Sequence, residues 1–361
     1  MRYFKCCPTL KRPLFLLFAV AIFLGPVLGT ESIADRSAAP TAPSTTLHPT
    51  PGGNYTRLLK KTDGTYASQY ASRAFLPQNG KGPRIILISA IHIGSQPYYE
   101  ELQKLMDAQD LLLFEGISKH PDDFKKRAED PQLKSTGLYG RLAKALGLVP
   151  QIIAINYNHD HFINADLSPD KLRQILEDEV KKGGKDGEDA KKAIAQFQEL
   201  TQMLSGEMGG LKGALIKLLI NIVELNPSMR DMVLLQIASA DASGNTKGIS
   251  PRLNSLIIHD RNDAAMQVLR EQLAKVPAPK SIGIFYGAAH LADMEKTLVE
   301  SFGYRSDGED IWLTAFTFDP SQSKLKEKDI KNYTAKANLV EEEPEDADAG
   351  KKTEEKAPAQ K

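Results

Sequence analysis

Apolar positions along this chain fall into two patterns that alternate between residues 84 and 318. RIILISA (84–90) is an unbroken apolar run, the pattern of a strand covered on both faces. PYYEELQKLMDAQ (97–109) instead spaces its apolar residues as a helix does, with Pro97 suited to a first turn. DLLLFEG (110–116) predicts a second strand and PQIIAINY (150–157) a third. SPDKLRQILEDEVKKGG (168–184) predicts a helix with a serine cap and a glycine stop. Helical spacing continues over 189–205, 211–225, 229–240 and 250–276. In 211–225, Leu211, Ala214, Leu215, Leu218, Leu219, Ile222 and Val223 form one apolar stripe, which suits a core helix, a lid or a membrane-facing helix. SIGIFYG (281–287), LADMEKTLVESFG (291–303) and DIWLTAFTF (310–318) predict strand, helix and strand. Strand–helix–strand units at both ends predict an α/β fold over 54–319. This is a layered domain with a central mixed β-sheet from two pseudo-repeated halves, flanked by helices, with a helical insert at about 168–245.

The flanks do not fit a packed core. Residues 30–53 are rich in Ala, Pro, Ser and Thr and read as a disordered tether. Residues 320–361 read as a disordered, charged tail. Lys5, Lys11 and Arg12 precede the apolar segment 13–29, and Val27 and Gly29 suit a cleavage site before Thr30. Residues 1–29 therefore read as a signal peptide, or else as an uncleaved anchor, since 17 apolar residues is the lower edge of a bilayer span. Either way the chain is expected to be exported, periplasmic or extracellular, with membrane association through the N-terminus if the segment is kept.

Composition narrows the chemistry. Both cysteines, Cys6 and Cys7, precede the apolar segment, so the rest of the chain has no disulfide, thiolate nucleophile or cysteine metal ligand. Lys+Arg and Asp+Glu balance at 46 each, which argues against a nucleic-acid partner. Sequons stand at Asn54 and Asn332.

Two stretches share one grammar. LISAIHIGSQPYYEEL and IFYGAAHLADMEKTL each run from a strand through small residues and a histidine into a helix. In an open α/β sheet the crevice beyond the carboxyl ends of the strands is where ligands bind. His92 and His290 are placed to point there, and Glu115 ends the strand after the first unit. Two histidines and one carboxylate are a common ligand set for a divalent ion such as zinc, manganese, cobalt or iron. HDRND (259–263) sits between apolar residues on a predicted helix, where polar groups need partners. Arg261 there suits a carboxylate or phosphate clamp or an oxyanion stabiliser, and Asp260 suits a carboxylate orienting a metal-bound histidine. His159 and His161 follow the predicted third strand as an H-x-H pair, read either as metal-binding or as part of a surface loop. Asn164 and Asp166 suit the cap before the 168 helix.

SAIH (89–92), FEG (114–116), HDRNDAAM (259–266) and YGAAH (286–290), in that order, resemble the motifs of the TraB/GumN/Tiki superfamily over about residues 84–318. The resemblance implies an α/β fold of two related halves, similar to haem-uptake lipoproteins and erythromycin esterases. Animal Tiki members are described as divalent-metal-dependent proteases. Carried over, this implies metal ligands at His92, Glu115 and His290, with Glu115, Arg261 and Asn262 as catalytic residues. Ser89, His159, His161, Asp260 and Gly287 would support the ligands or contact substrate. Ser89 stands where the family has a glycine, and Asp260 where it has a glutamate, shortening that reach by about 1.5 Å.

The expected function is an exported metal-dependent hydrolase acting on peptides or proteins. The alternatives are a non-catalytic protein sequestering haem or a peptide, its insert (Met203, Met208, Met229 and Met232) serving as lid, or a metal-independent esterase with a histidine base.

Overall fold

A computed structural model describes residues 54–118, 123–124, 138–204, 210–243, 249–323, 325, 327–334 and 337–342. The apolar segment 13–29, both cysteines, the proposed tether 30–53, Met208 and residues 343–361 lie outside them. The strands are β1 (Thr56–Lys60), β2 (Tyr66–Pro77), β3 (Arg84–Ala90), β4 (Ile93–Gly94), β5 (Leu111–Phe114), β6 (Val149–Pro150), β7 (Phe162–Asn164), β8 (Ser281–Gly287), β9 (Tyr304–Ser306), β10 (Ile311–Phe318) and β11 (Leu339–Glu341). The helices are α1 (Gln96–Asp107), α2 (Leu138–Ala145), α3 (Gln151–Ala154), α4 (Pro169–Lys182), α5 (Gly184–Leu204), α6 (Gly210–Leu225), α7 (Pro227–Ser243), α8 (Pro251–Ser255), α9 (Arg261–Leu273), α10 (Ala288–Glu300), α11 (Pro320–Ser323) and α12 (Glu327–Thr334). A π-helical turn, Leu256–Asp260, joins α8 to α9.

The fold is α/β, with a mixed sheet ordered β11-β1-β2-β3-β8-β5-β7 and flanked by helices. β9 and β10 both pair with the long β2, and β4 and β6 form a separate antiparallel pair. From β3 to β7 all pairings are parallel. The decisive feature is that β8, late in the chain, lies between β3 and β5, with Ala90 aligned to Gly287 and Phe114 to Phe285. Parallel strands end at the same rim, so the segments after β3, β5 and β8 are neighbours.

Side-chain alternation divides the core. Ile86, Ile88, Leu112 and Phe114 face α1, α6 and α7, packing with Tyr98, Tyr99, Leu102, Ile220 and Leu235. Ile85, Leu87, Leu113, Ile282 and Ile284 face α9 and α10, packing with Met266, Leu269, Leu291 and Met294. Burial on both faces explains why β3 and β8 read as continuous apolar runs. A third cluster joins α4 and α5 to α8 and the π-turn through Leu172, Leu176, Leu253 and Ile257. Among the described residues no helix is long and apolar enough to cross a membrane.

The strand expected at 150–157 does not form. Val149–Pro150 is a short strand, Gln151–Ala154 a helical turn, and the strand beside β5 is Phe162–Asn164. A short apolar run suits a half-buried helical turn as well as a strand, and Pro150 begins such a turn. The region read as a disordered tail contributes α11, α12 and β11, the last pairing in parallel with β1. The helix expected over 250–276 is divided by the π-turn. In α6 the stripe is split: Leu219 and Val223 are buried, whereas Leu215 and Leu218 are exposed.

Candidate functional site

The carboxyl ends of β3, β8 and β5 lead directly to His92, His290 and Glu115. Glu115 stays in sheet register through its N–H, which donates to the Phe285 carbonyl at 2.9 Å. Its side chain is gripped at both oxygens. Oε1 accepts from Arg261 Nη2 at 2.6 Å and Oε2 accepts from the Gly287 N–H at 2.6 Å. Gly287 is the cap residue of α10, so Glu115 lies against a helix N-terminus, a favourable place for an anion. A Cβ on Gly287 would stand 3.2 Å from Oε2, so the missing side chain lets the carboxylate dock. Burial works against the charge of Glu115, but the Arg261 guanidinium above all, with the Gly287 N–H, outweighs it. The carboxyl is held far below its usual range and is ionised at neutral pH.

Arg261 has little fork to spare. Nε and Nη2 donate to Asp166 at 2.8 and 2.6 Å, Nη2 also to Glu115, and Nη1 to the Ile257 carbonyl at 3.3 Å. With 1% of its surface exposed, it commits Nε, Nη2 and one N–H of Nη1 to Asp166, Glu115 and Ile257, which leaves a single Nη1 N–H for the oxyanion role its sequence context had offered. It is the cation that keeps Glu115 and Asp166 charged in the interior. Burial disfavours its own charge, yet the two carboxylates raise its pKa. Asp166 stands just past the end of β7 and also accepts from the N–H groups of Gly116 and Leu167 at 2.9 and 2.7 Å. The cap of α4 is Ser168, the serine expected from the sequence, and not Asp166, which suited that place as well. The rule that singled out Glu115, a carboxylate just past a buried strand, would have found Asp166 had the third strand been set correctly.

The π-turn resets the helical phase immediately before Arg261. Beyond it Arg261 and Asn262 are buried, while His259 is exposed. Asp260 does not reach either histidine. It accepts from Arg252 at 2.7 Å, and Arg252 also grips Glu179 at 2.6 and 2.8 Å, tying the π-turn to α4.

His290 lies in the first turn of α10, whereas His92 lies in the loop after β3, so their local contexts differ more than their sequences imply. His290 Nδ1 is 2.7 Å from Asn262 Oδ1, an atom that only accepts, so the proton sits on Nδ1. Its Nε2 lies 3.6 Å from Glu115 Oε1. Burial lowers the His290 pKa to about 4; Glu115 raises it by less and Arg261 lowers it further. The ring is therefore neutral at pH 7. His92 is tied in a similar way: Nδ1 is 3.1 Å from Gln151 Oε1, and Gln151 Nε2 donates to the Tyr157 hydroxyl at 3.0 Å. The field of His92 reaches both Glu115 and His290. Tyr157 packs on Phe114 with ring centroids 4.9 Å apart, and burial and Glu115 raise its pKa, so it stays a neutral phenol.

Ser89 is 1% exposed, lies on the sheet face of Glu115, and its hydroxyl has no hydrogen-bond partner. It is the one orphaned polar atom of the described residues at this rim. His159 and His161 are elsewhere. They precede β7 rather than follow a strand, and the His161 carbonyl accepts from Leu112 N at 2.9 Å, near the amino end of β5. His159 Nε2 contacts Asn156 at 3.1 Å and Asp107 at 3.6 Å on that opposite rim.

Behind Glu115, Gly116 has no room for a side chain, because a Cβ would overlap the Phe124 ring. Gly116→Ala is expected to destabilise by about 1–3 kcal/mol through overpacking. Urea denaturation checks this; a change below about 0.5 kcal/mol, the scale of a neutral surface substitution, would show that Phe124 yields freely.

A neutral imidazole nitrogen and an ionised carboxylate oxygen thus face each other at 3.6 Å, too far apart for a direct hydrogen bond. Both are acceptors. A cation or a donor molecule reaching that place would satisfy both. Among the described residues no group of three or more His, Cys, Asp or Glu side chains is drawn together tightly enough to read directly as a metal centre. Compared with known proteins, the chain matches no family model, no curated protein and no solved structure.

Proposed function

We propose that the chain is an exported hydrolase acting on peptides or proteins, with His92, Glu115 and His290 holding a divalent ion such as zinc, manganese or cobalt. The observation that carries this is the pairing of His290 Nε2 with Glu115 Oε1 at the ends of adjacent strands, with His92 two residues past the end of the third strand, β3. The donor set fits such an ion. Each histidine has Nδ1 tied to a side-chain amide oxygen, which leaves Nε2 as the ligand atom. Glu115 stays ionised because Arg261 and the Gly287 N–H hold it so. An ion bound there supplies Lewis acidity. Asn262 orients His290, Gln151 orients His92, Arg261 and Asp166 fix the carboxylate, and the Ser89 hydroxyl is positioned to meet a ligand. The motif resemblance to the TraB/GumN/Tiki superfamily supports the same reading.

A second reading has its own support. Arg261 already shares Glu115 Oε1, and a cation there would stand beside a guanidinium. In that case His290, neutral at pH 7, takes a proton from water or a substrate hydroxyl as a general base, and the chain is a metal-independent esterase.

The test is metal analysis of the purified chain with turnover of peptide and ester libraries, before and after chelation. The metal reading expects stoichiometric metal, loss of activity on chelation, and losses of about 100-fold or more in His92→Ala and His290→Ala. Activity that survives chelation but not His290→Ala selects the esterase. No turnover, with a haem Soret shift abolished by His92→Ala, selects a binding protein. Variants that match wild type in every assay sink all three.

A further inference from the structure

The two ends of the Asn262 amide are alike in shape and opposite in hydrogen bonding. Which end faces His290 decides where the imidazole proton resides. The Asn262 amide donates through Nδ2 to Asp293 Oδ2 at 2.8 Å, and to the His290 carbonyl at 3.3 Å. A carboxylate only accepts, so Asp293 secures the NH2 end and turns Oδ1 toward His290 Nδ1 at 2.7 Å. His259 Nδ1 lies 3.2 Å from the same Asp293 oxygen and steadies it from the solvent side. Asp293 stands three residues after His290 on α10, so both point toward α9 from one helical face.

An opposing arrangement exists. If the amide turned over, its NH2 would donate to Nδ1, and the imidazole proton would move to Nε2. There it would face Glu115 Oε1, 3.6 Å away, whose charge attracts it. Two carboxylates, Asp293 and Glu115, therefore pull one proton toward opposite nitrogens. The shorter contacts, 2.8 and 2.7 Å, are on the Asp293 side.

We infer that Asp293 is a positioning residue that fixes His290 as its Nδ1–H tautomer, so that Nε2 keeps its lone pair at the centre of the site. This adds a residue outside the motif set, and it rests on the site role proposed for His290. The tautomer can be read without any assay of that role. Asp293 is 38% exposed at its side chain, so shortening it leaves no sealed cavity.

The experiment is long-range proton–nitrogen NMR of the full chain labelled with 15N-histidine, with His290 assigned through His290→Gln. In wild type at neutral pH the unprotonated nitrogen is expected at Nε2. In Asp293→Ala that signature is expected to pass, wholly or in part, to Nδ1. Asp293→Asn keeps a side-chain oxygen and is expected to stay near wild type. A wild-type proton on Nε2, or an unaltered pattern in a folded Asp293→Ala, overturns the inference. A shifted tautomer with unaltered turnover keeps the inference and sinks instead the role proposed for His290.

Discussion

Arg261→Met is expected to cost about 3–5 kcal/mol of stability, the typical penalty for removing one partner of a buried ion cluster. Methionine fills much of the arginine stem's volume, so the loss comes mainly from charge. Glu115 and Asp166 would be left buried without a cation, with Asp166 holding only backbone N–H donors and Glu115 only that of Gly287. Arg261→Lys is expected to recover little, since one ammonium cannot reproduce a fork that meets Asp166, Glu115 and the Ile257 carbonyl together. Adding Glu115→Gln to Arg261→Met should return part of the loss by removing one stranded charge. Urea midpoints of the single and double variants measure this. Arg261→Met within about 1 kcal/mol of wild type would mean that the cluster does not stabilise the site as described.

Stability is also expected to fall with pH on the acid side of neutrality because of His290. Its folded pKa is about 4, below the ordinary histidine value of 6.5. Between those values the unfolded chain binds the proton and the folded chain does not, so protonation favours unfolding. The stabilising contribution is complete above about pH 6.5 and is lost as pH falls toward 4, by at most ~3 kcal/mol. Glu115 has the depressed-carboxylate behaviour: its contribution is present above its unfolded pKa near 4.5 and is lost only on further acidification. The window from pH 6.5 to 4.5 therefore separates the histidine from Glu115. Denaturation across it should show a slope that His290→Gln largely removes. An equal slope in that variant would place the proton uptake on another group.

The parts of the fold written as continuous apolar runs were legible. β3 and β8 match the predicted residues because burial on both faces leaves apolar side chains at most of their positions. β7 was not legible: its three residues carry too little pattern, and the apolar residues 152–155 offered a stronger false strand. That displacement put His159 and His161 at the wrong rim and hid Asp166. β1 and β2 were passed over because buried polar sheet positions such as Ser68, Ser72 and Arg73 do not read as core. Arg73 is buried because Glu295 and Asp310 pair with it at 2.6 and 2.8 Å, partners more than two hundred residues away. The candidate triad of His92, Glu115 and His290 was read from strand ends. What the residues do to one another was not, since the ion pairs of Arg261 and the Asn262–Asp293 arrangement are contacts across elements.

The seat of β8 between β3 and β5 also dictates when this site comes into being. As the polypeptide emerges from the ribosome, β3 and β5 are made long before their shared neighbour, and they cannot join each other without closing the slot it needs. About two hundred residues of synthesis separate the first histidine from the second. Such distant pairing makes for slow, late closure of the sheet. A nascent fragment ending before Ser281 would hold His92 and Glu115 but neither the Gly287 N–H nor the second imidazole, so the candidate site would stay unassembled until the domain is almost whole.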